Sequence, residues 1–98
     1  MLLLHVITRR KLLDASAIHP ELTGPLDIWF RLAKRARWKS LDEVRSDFPS
    51  ADSVGKLTVF NIKGNHYRLI AELNYGAGRV YIRHVLTHAE YDKGAWKL

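Results

Sequence analysis

Apolar and polar positions recur with two different periods along this chain, and the change of period divides it. Residues 2–8 open with an apolar run, Leu2-Leu3-Leu4 followed by Val6 and Ile7, which suits one buried strand. Thr8 can then cap a helix with apolar positions at Leu12, Leu13, Ala15 and Ile18, stopping near Pro20. Between residues 20 and 38, Leu22, Leu26, Trp29, Leu32, Ala33 and Ala36 recur at helical spacing. Arg31, Lys34, Arg35 and Arg37 lie mostly off that stripe. Gly24-Pro25 either kinks this helix or begins it. Ser40-Leu41-Asp42-Glu43 matches a capping box, in which Ser40 accepts from the Glu43 N–H and Glu43 reaches back to Ser40. A short helix should follow and end before Pro49, with a turn or short extended piece over residues 52–55.

Further on, the period falls to two. Residues 57–63, 66–75 and 79–86 alternate, with a two-residue hairpin loop expected at Gly64-Asn65 and a second turn at Gly76-Ala77-Gly78. Residues 87–98 read as a turn or a helical stub. A strand, then helices, then three alternating strands predicts an α+β fold: a small, mostly antiparallel sheet with helices packed on one face. Residues 1–98 form one domain on this reading. Its core should include Leu26, Trp29, Phe60, Ile62, Leu69, Leu73, Val80 and Ile82.

Strand parity separates the two faces. Phe60, Ile62, Tyr67, Leu69, Ala71, Leu73, Tyr75, Val80, Ile82 and Leu86 should face the helices. Asn61, Lys63, His66, Arg68, Ile70, Tyr81 and Arg83 should face the other way. A loop at Gly64-Asn65 sets Lys63 opposite His66 and Asn61 opposite Arg68. Closure of the second hairpin at Ala77-Gly78 sets Tyr75 beside Val80, Glu72 opposite Arg83, and Arg68 opposite Thr87, with His88 next. Lys63, His66, Arg68 and His88 then meet at one end of an open sheet.

Composition narrows the chemistry. With 47% hydrophobic residues a core is possible, and with no Cys there is no disulfide, thiol nucleophile or Cys-based metal site. Lys and Arg number 16 against 10 Asp and Glu, a net charge of +6 that suits nucleic acid or an acidic protein without choosing between them. The N-terminal apolar run stops at Thr8-Arg9-Arg10-Lys11, which is too short for a membrane span and charged on the wrong side for a signal peptide. A cytoplasmic protein is expected.

The basic end of the sheet carries what RNA cleavage requires. Attack of a 2′-hydroxyl on its own phosphate needs a base, cations against the charge of the phosphorane, and an acid for the leaving oxygen. Arg68 offers a bidentate fork for phosphate. His66 and His88 bring imidazole, the side chain that exchanges protons at neutral pH. Lys56, Lys63 and Tyr91 can supply charge or a proton. This chemistry calls for no metal or other cofactor; His84 and His88 are spaced i, i+4 but straddle a strand end. Plainer readings compete. A basic strand face on a +6 protein is also what a solvated surface looks like. Arg83 can simply pair with Glu72 across the strands, Tyr81 can simply pack on the sheet, Asn65 reads as a turn residue, and His84 points to the core.

Taken in order, four motifs resemble one family. His5-Val6-Ile7-Thr8 is similar to the first strand of HigB-type toxins, and Phe48-Pro49-Ser50-Ala51-Asp52 to their pre-sheet turn. Val59-Phe60-Asn61-Ile62, Gly64-Asn65 and Arg68-Leu69 resemble their central hairpin. Tyr81-Ile82-Arg83-His84-Val85-Leu86-Thr87-His88-Ala89-Glu90-Tyr91-Asp92 resembles their C-terminal signature. The resemblance implies a RelE-like fold and a metal-independent endoribonuclease that cleaves translated mRNA on the ribosome. It also implies a HigA-like antitoxin with a helix-turn-helix; given the short apolar run, no membrane partner is expected. By the same resemblance Arg68 contacts the reacting phosphate, while His88 and Tyr91 occupy places used in catalysis. Lys56 joins them as a candidate, with Asn61, Lys63, His66 and Arg83 as RNA contacts. Three features depart from the pattern: the extra Leu2-Leu3-Leu4, the Gly24-Pro25 interruption, and Asn61 near a place where some relatives use Lys. The last leaves His66, His88 and Lys56 as alternatives for the general base. A non-catalytic RNA- or antitoxin-binding module on the same scaffold is the other reading.

Overall fold

A computed structural model describes residues 5–7 and 9–97. Residues 2–4 of the expected first strand and Thr8, the expected cap, lie outside the described residues. Strand β1 (His5–Ile7) leads into helix α1 (Arg10–Ile18). A 3-10 turn at Pro20–Leu22 precedes α2 (Thr23–Arg35). Gly24-Pro25 thus begins this helix: Pro25 sits in the first turn, where its missing N–H has no intrahelical partner to lose. The helical stripe buries Leu22, Leu26, Trp29, Ala33 and Ala36, whereas Leu32 remains 41% exposed. In α3 (Leu41–Asp47), Ser40 accepts from the Glu43 N–H at 3.4 Å. Glu43 itself reaches the N–H of Lys39 (3.1 Å) instead of Ser40.

Among the described residues five strands form one sheet in the order β1-β5-β4-β3-β2, with β2 (Asp52–Val54), β3 (Leu57–Ile62), β4 (Tyr67–Asn74) and β5 (Arg79–Thr87). β2 to β5 pair antiparallel, but β1 runs parallel to β5, with Val6 beside Val80. The sheet is therefore mixed. The alternation within one strand carries no information about the direction of its neighbour.

Helices and sheet enclose a core around Trp29, Trp38, Phe48 and Phe60. The Trp29–Phe60 and Phe48–Phe60 rings meet edge-on at 5.4 and 5.2 Å. Leu69, Val80 and Ile82 close it from the sheet, with Leu73 partly buried beside them. Val59, Ile70 and Trp96 form a second buried cluster, packed by Val54, Leu57, Leu86 and Tyr91. The back of the sheet is thus covered by the C-terminal segment, α4 (His88–Lys93) and a 3-10 turn at Ala95–Lys97. This corrects the expectation of helices on one face only.

Two registers differ from the simple pattern. The first hairpin keeps Asn61 opposite Arg68, but its loop runs over four residues, 63–66. Lys63 and Gly64 both take left-handed backbone (φ 53° and 65°), which Gly adopts freely and Lys does not. In the second hairpin the turn takes residues 75–78, and Asn74 stands opposite Arg79. Asn74 Oδ1 accepts from the Ala77 N–H at 3.0 Å, closing the turn from the residue before it. A bulge then inserts Arg83, since Ala71 faces Ile82 while Ile70 faces His84. One extra residue reverses all later parity. Val85 joins the core, Leu86 turns to the second cluster, and Arg68 stands opposite Leu86 rather than Thr87. His84, expected to point to the core, stands opposite Ile70 of the second cluster. Among the described residues no helix is long and apolar enough to cross a membrane.

Candidate active site

The site is assembled where the first hairpin loop meets the start of α4. Arg68 leaves β4 on the face of the second cluster and is only 8% exposed. A buried cation is costly unless its donors are met. Here Nη1 donates to the backbone carbonyls of Asn65 (3.1 Å) and Tyr67 (3.2 Å). Nη2 donates to Asn65 Oδ1 and to His88 Nδ1, the latter at 3.2 Å. The Tyr91 ring lies 5.2 Å below the guanidinium.

His88 and Tyr91 are delivered by a short helix fixed at both ends. Thr87 caps it: its hydroxyl accepts from the Glu90 N–H (3.2 Å), and Glu90 accepts from the Thr87 N–H (2.9 Å). The His88 N–H donates to the carbonyl of His66 (2.9 Å), tying helix to loop. Gly94 ends the helix in the left-handed region. Trp96 then stacks on Tyr91 (5.0 Å, 15°) and donates from Nε1 to the Tyr91 carbonyl (2.9 Å).

Of the residues singled out from sequence, Arg68, His88 and Tyr91 are in direct contact. Asn61 is the exposed cross-strand neighbour of Arg68, and Lys63 and His66 stand exposed in the loop. Lys56 is elsewhere. It precedes Leu57, four strand positions from Asn61, or about 14 Å along the strand. Its ammonium stands 3.9 Å from Glu72. Arg83, displaced by the bulge, also pairs with Glu72 (3.1 Å) and lies 5.2 Å from the centre of the Tyr81 ring.

Three participants were missed. Asn65 is more than a turn residue, since both its oxygens hold Arg68. Asp92 meets His88 Nε2 at 3.1 Å; the i, i+4 spacing announces this pair once residues 88–93 are read as a helix. Trp96 roofs the back of the sheet. Beside the site, Tyr67 hydrogen-bonds Glu21 and approaches His19 Nδ1 at 3.4 Å. That hydroxyl holds the Glu21 carboxyl below its ordinary range, helped by backbone N–H, His19 and Lys63. Glu21 and burial push the Tyr67 phenol up. The Thr87 N–H likewise lowers Glu90. His84 is lowered by burial and then by Lys11 and Arg83. Among the described residues, no group of three or more His, Asp and Glu is placed to hold a metal ion.

A family model described as HigB_toxin, the RelE-like toxic component of a toxin-antitoxin system, matches residues 22–94. The mRNA interferase toxin HigB of Escherichia coli strain K12 is 33% identical over 92 residues, covering 91% of this chain and 88% of that protein. The mRNA interferase HigB of Shigella flexneri has the same identity and coverage. The mRNA interferase HigB of Escherichia coli O6:H1 is 29% identical over 93 residues, covering 92% of this chain and 90% of that protein. The match takes in the second helix, the sheet from β2 to β5 and the α4 segment that carries His88 and Tyr91, and the chain belongs to the HigB family of RelE-like toxins.

Proposed function

We propose that this protein is a cytoplasmic endoribonuclease that cuts mRNA on the ribosome and so arrests translation. It is the toxin of a pair whose other member is a HigA-like helix-turn-helix antitoxin. The reading rests on family membership, on relatives named mRNA interferases, and above all on one contact: the Arg68 guanidinium beside His88 Nδ1, above the Tyr91 ring.

In the proposed reaction the RNA 2′-hydroxyl gives its proton to His88 and its oxygen bonds to phosphorus. The P–O5′ bond breaks, the 5′-oxygen takes a proton from Tyr91, and a 2′,3′-cyclic phosphate and a 5′-hydroxyl remain. Arg68 opposes the charge that grows on the phosphoryl oxygens. No metal enters this scheme. Asn61, Lys63 and His66 border the cluster and are assigned to the RNA on either side. Lys56 and Arg83, further along the sheet, extend the basic path rather than join the reacting centre.

One observation favours a non-catalytic binding module: the fork of Arg68 is already engaged by protein acceptors, as a structural arginine would be. Inducing the protein in cells and mapping new mRNA 5′ ends separates the two. New ends within translated regions support the nuclease; growth inhibition without them supports the binding module.

A further inference from the structure

The two nitrogens of His88 are held by groups of opposite kind. An arginine N–H only donates, so His88 Nδ1, 3.2 Å from Arg68 Nη2, must accept. The ring proton then sits on Nε2, which lies 3.1 Å from Asp92 Oδ2, a carboxylate oxygen that accepts. Both contacts favour the same tautomer, and only the Asp92 contact remains once Arg68 turns to a phosphate. The reverse one sets N–H against N–H at Arg68 and lone pair against lone pair at Asp92.

We propose that Asp92 is a positioning residue for RNA cleavage. It keeps the imidazole proton on Nε2, so that the lone pair on Nδ1 faces the phosphate site. In the resting protein Arg68 occupies that lone pair. When RNA phosphate draws the guanidinium to itself, Nδ1 is released at the place where the 2′-hydroxyl proton must go. The proton passes from the 2′-oxygen to Nδ1, and Asp92 stabilises the imidazolium that forms. This rests on the cleavage reading above.

The local structure explains why Asp92 can do this. His88 opens α4 and Asp92 follows one turn later, on the same helix face. The capping box, the His66 carbonyl and the Trp96 stack hold that helix in place. Besides Asp92, Arg68 from β4 meets the imidazole; the His66 carbonyl holds the His88 backbone N–H, and Tyr91 lies against the same guanidinium. The His88 and Asp92 side chains are 47% and 60% exposed, so their contact contributes little to stability. Asp92 can therefore be changed without unfolding the chain. An asparagine there can turn its amide N–H toward Nε2 and favour the wrong tautomer, a substitution that is severe in histidine-carboxylate pairs of hydrolases.

The test uses the purified full-length chain. Long-range ¹H–¹⁵N correlation spectra report the His88 tautomer, and cleavage of mRNA on ribosomes reports rate. The wild type should show the Nε2–H form. Asp92→Asn should keep its thermal midpoint and lower the share of the Nε2–H form. Its kcat should fall by about 10- to 100-fold with KM unchanged, less than the loss seen for a buried carboxylate. Asp92→Glu should restore the tautomer and most of the rate. The double variant His88→Ala with Asp92→Asn should be no slower than His88→Ala alone, since the two act as a unit. A wild-type rate in Asp92→Asn, or a shifted tautomer with no loss of rate, overturns this proposal alone. A wild-type chain that cuts no mRNA overturns the nuclease reading and this proposal together, even where the tautomer is as described.

Discussion

Replacing Trp96 by alanine should separate the stability of the fold from the integrity of the site. The ring is 6% exposed and is buried with Val59 and Ile70 on the back of the sheet. Removing a buried aromatic side chain typically costs about 3–5 kcal/mol. The stack on Tyr91 and the Nε1 bond to its carbonyl lie within that loss, each of order 1 kcal/mol. What remains of α4 is six residues, far too short to hold as an isolated helix. The substitution should therefore release residues 88–97 while the helical face of the sheet stays packed. Release also caps the measurable loss, because a segment already detached loses nothing more. Urea unfolding should then show a stability lower by about 3 kcal/mol. Hydrogen exchange should lose protection over residues 88–97 and keep it in β4 at Leu69 and Ala71. Cleavage should fail, since His88 and Tyr91 are no longer held at Arg68. A Trp96→Ala protein that loses less than about 1 kcal/mol and keeps its protection over residues 88–97 would show that Trp96 does not hold α4 on the sheet.

Other expectations follow from the same contacts. Glu21 has its carboxyl lowered in the folded state, chiefly by the Tyr67 hydroxyl. The unfolded chain takes up that proton first as pH falls, so this stabilisation is complete above the ordinary carboxylate value and lost below it. Glu21→Gln should lower the urea midpoint at pH 7 and flatten its decline between pH 5 and 3; an unchanged acid slope counts against the pair. Gly64 has a left-handed φ of 65° with nothing within 4 Å of an added Cβ, so Gly64→Ala should cost about 1–2 kcal/mol from backbone strain alone. A thermal midpoint equal to wild type would mean that the loop adopts another conformation. The proposed antitoxin should associate with this +6 chain more slowly as salt rises. Stopped-flow rates indifferent to salt remove the electrostatic part of that claim.

The element order was legible because it follows from periodicity. The stripe through Leu26, Trp29 and Ala33, the capping serine Ser40 and the pairing of Asn61 with Arg68 all stand as expected. The direction of β1 was not legible, since pairing direction leaves no trace in one strand. Nor was the bulge at Arg83, where one inserted residue reverses parity while each flanking stretch still alternates. Its consequence was large: Leu86 passed from one face to the other. The Glu72–Arg83 ion pair formed although the register behind its expectation was off, because long side chains reach diagonal neighbours. At the site, residue types pointed to Arg68, His66, His88, Lys56, Lys63 and Tyr91, and the resemblance to Arg68, His88 and Tyr91; the contacts of Asp92 and Trp96 depend on a tail whose helix is only six residues long.

In the proposed reaction Arg68 works at the reacting phosphate. The most direct measurement is the single-turnover rate of mRNA cleavage on purified ribosomes, wild type against Arg68→Lys. Lysine keeps the charge but cannot reproduce a fork that reaches Asn65, Tyr67 and His88 together. Urea unfolding first establishes that the variant is folded. The wild type should cut, and folded Arg68→Lys should cut roughly 10²- to 10³-fold more slowly. A folded Arg68→Lys protein that cuts at the wild-type rate rules out that role for Arg68.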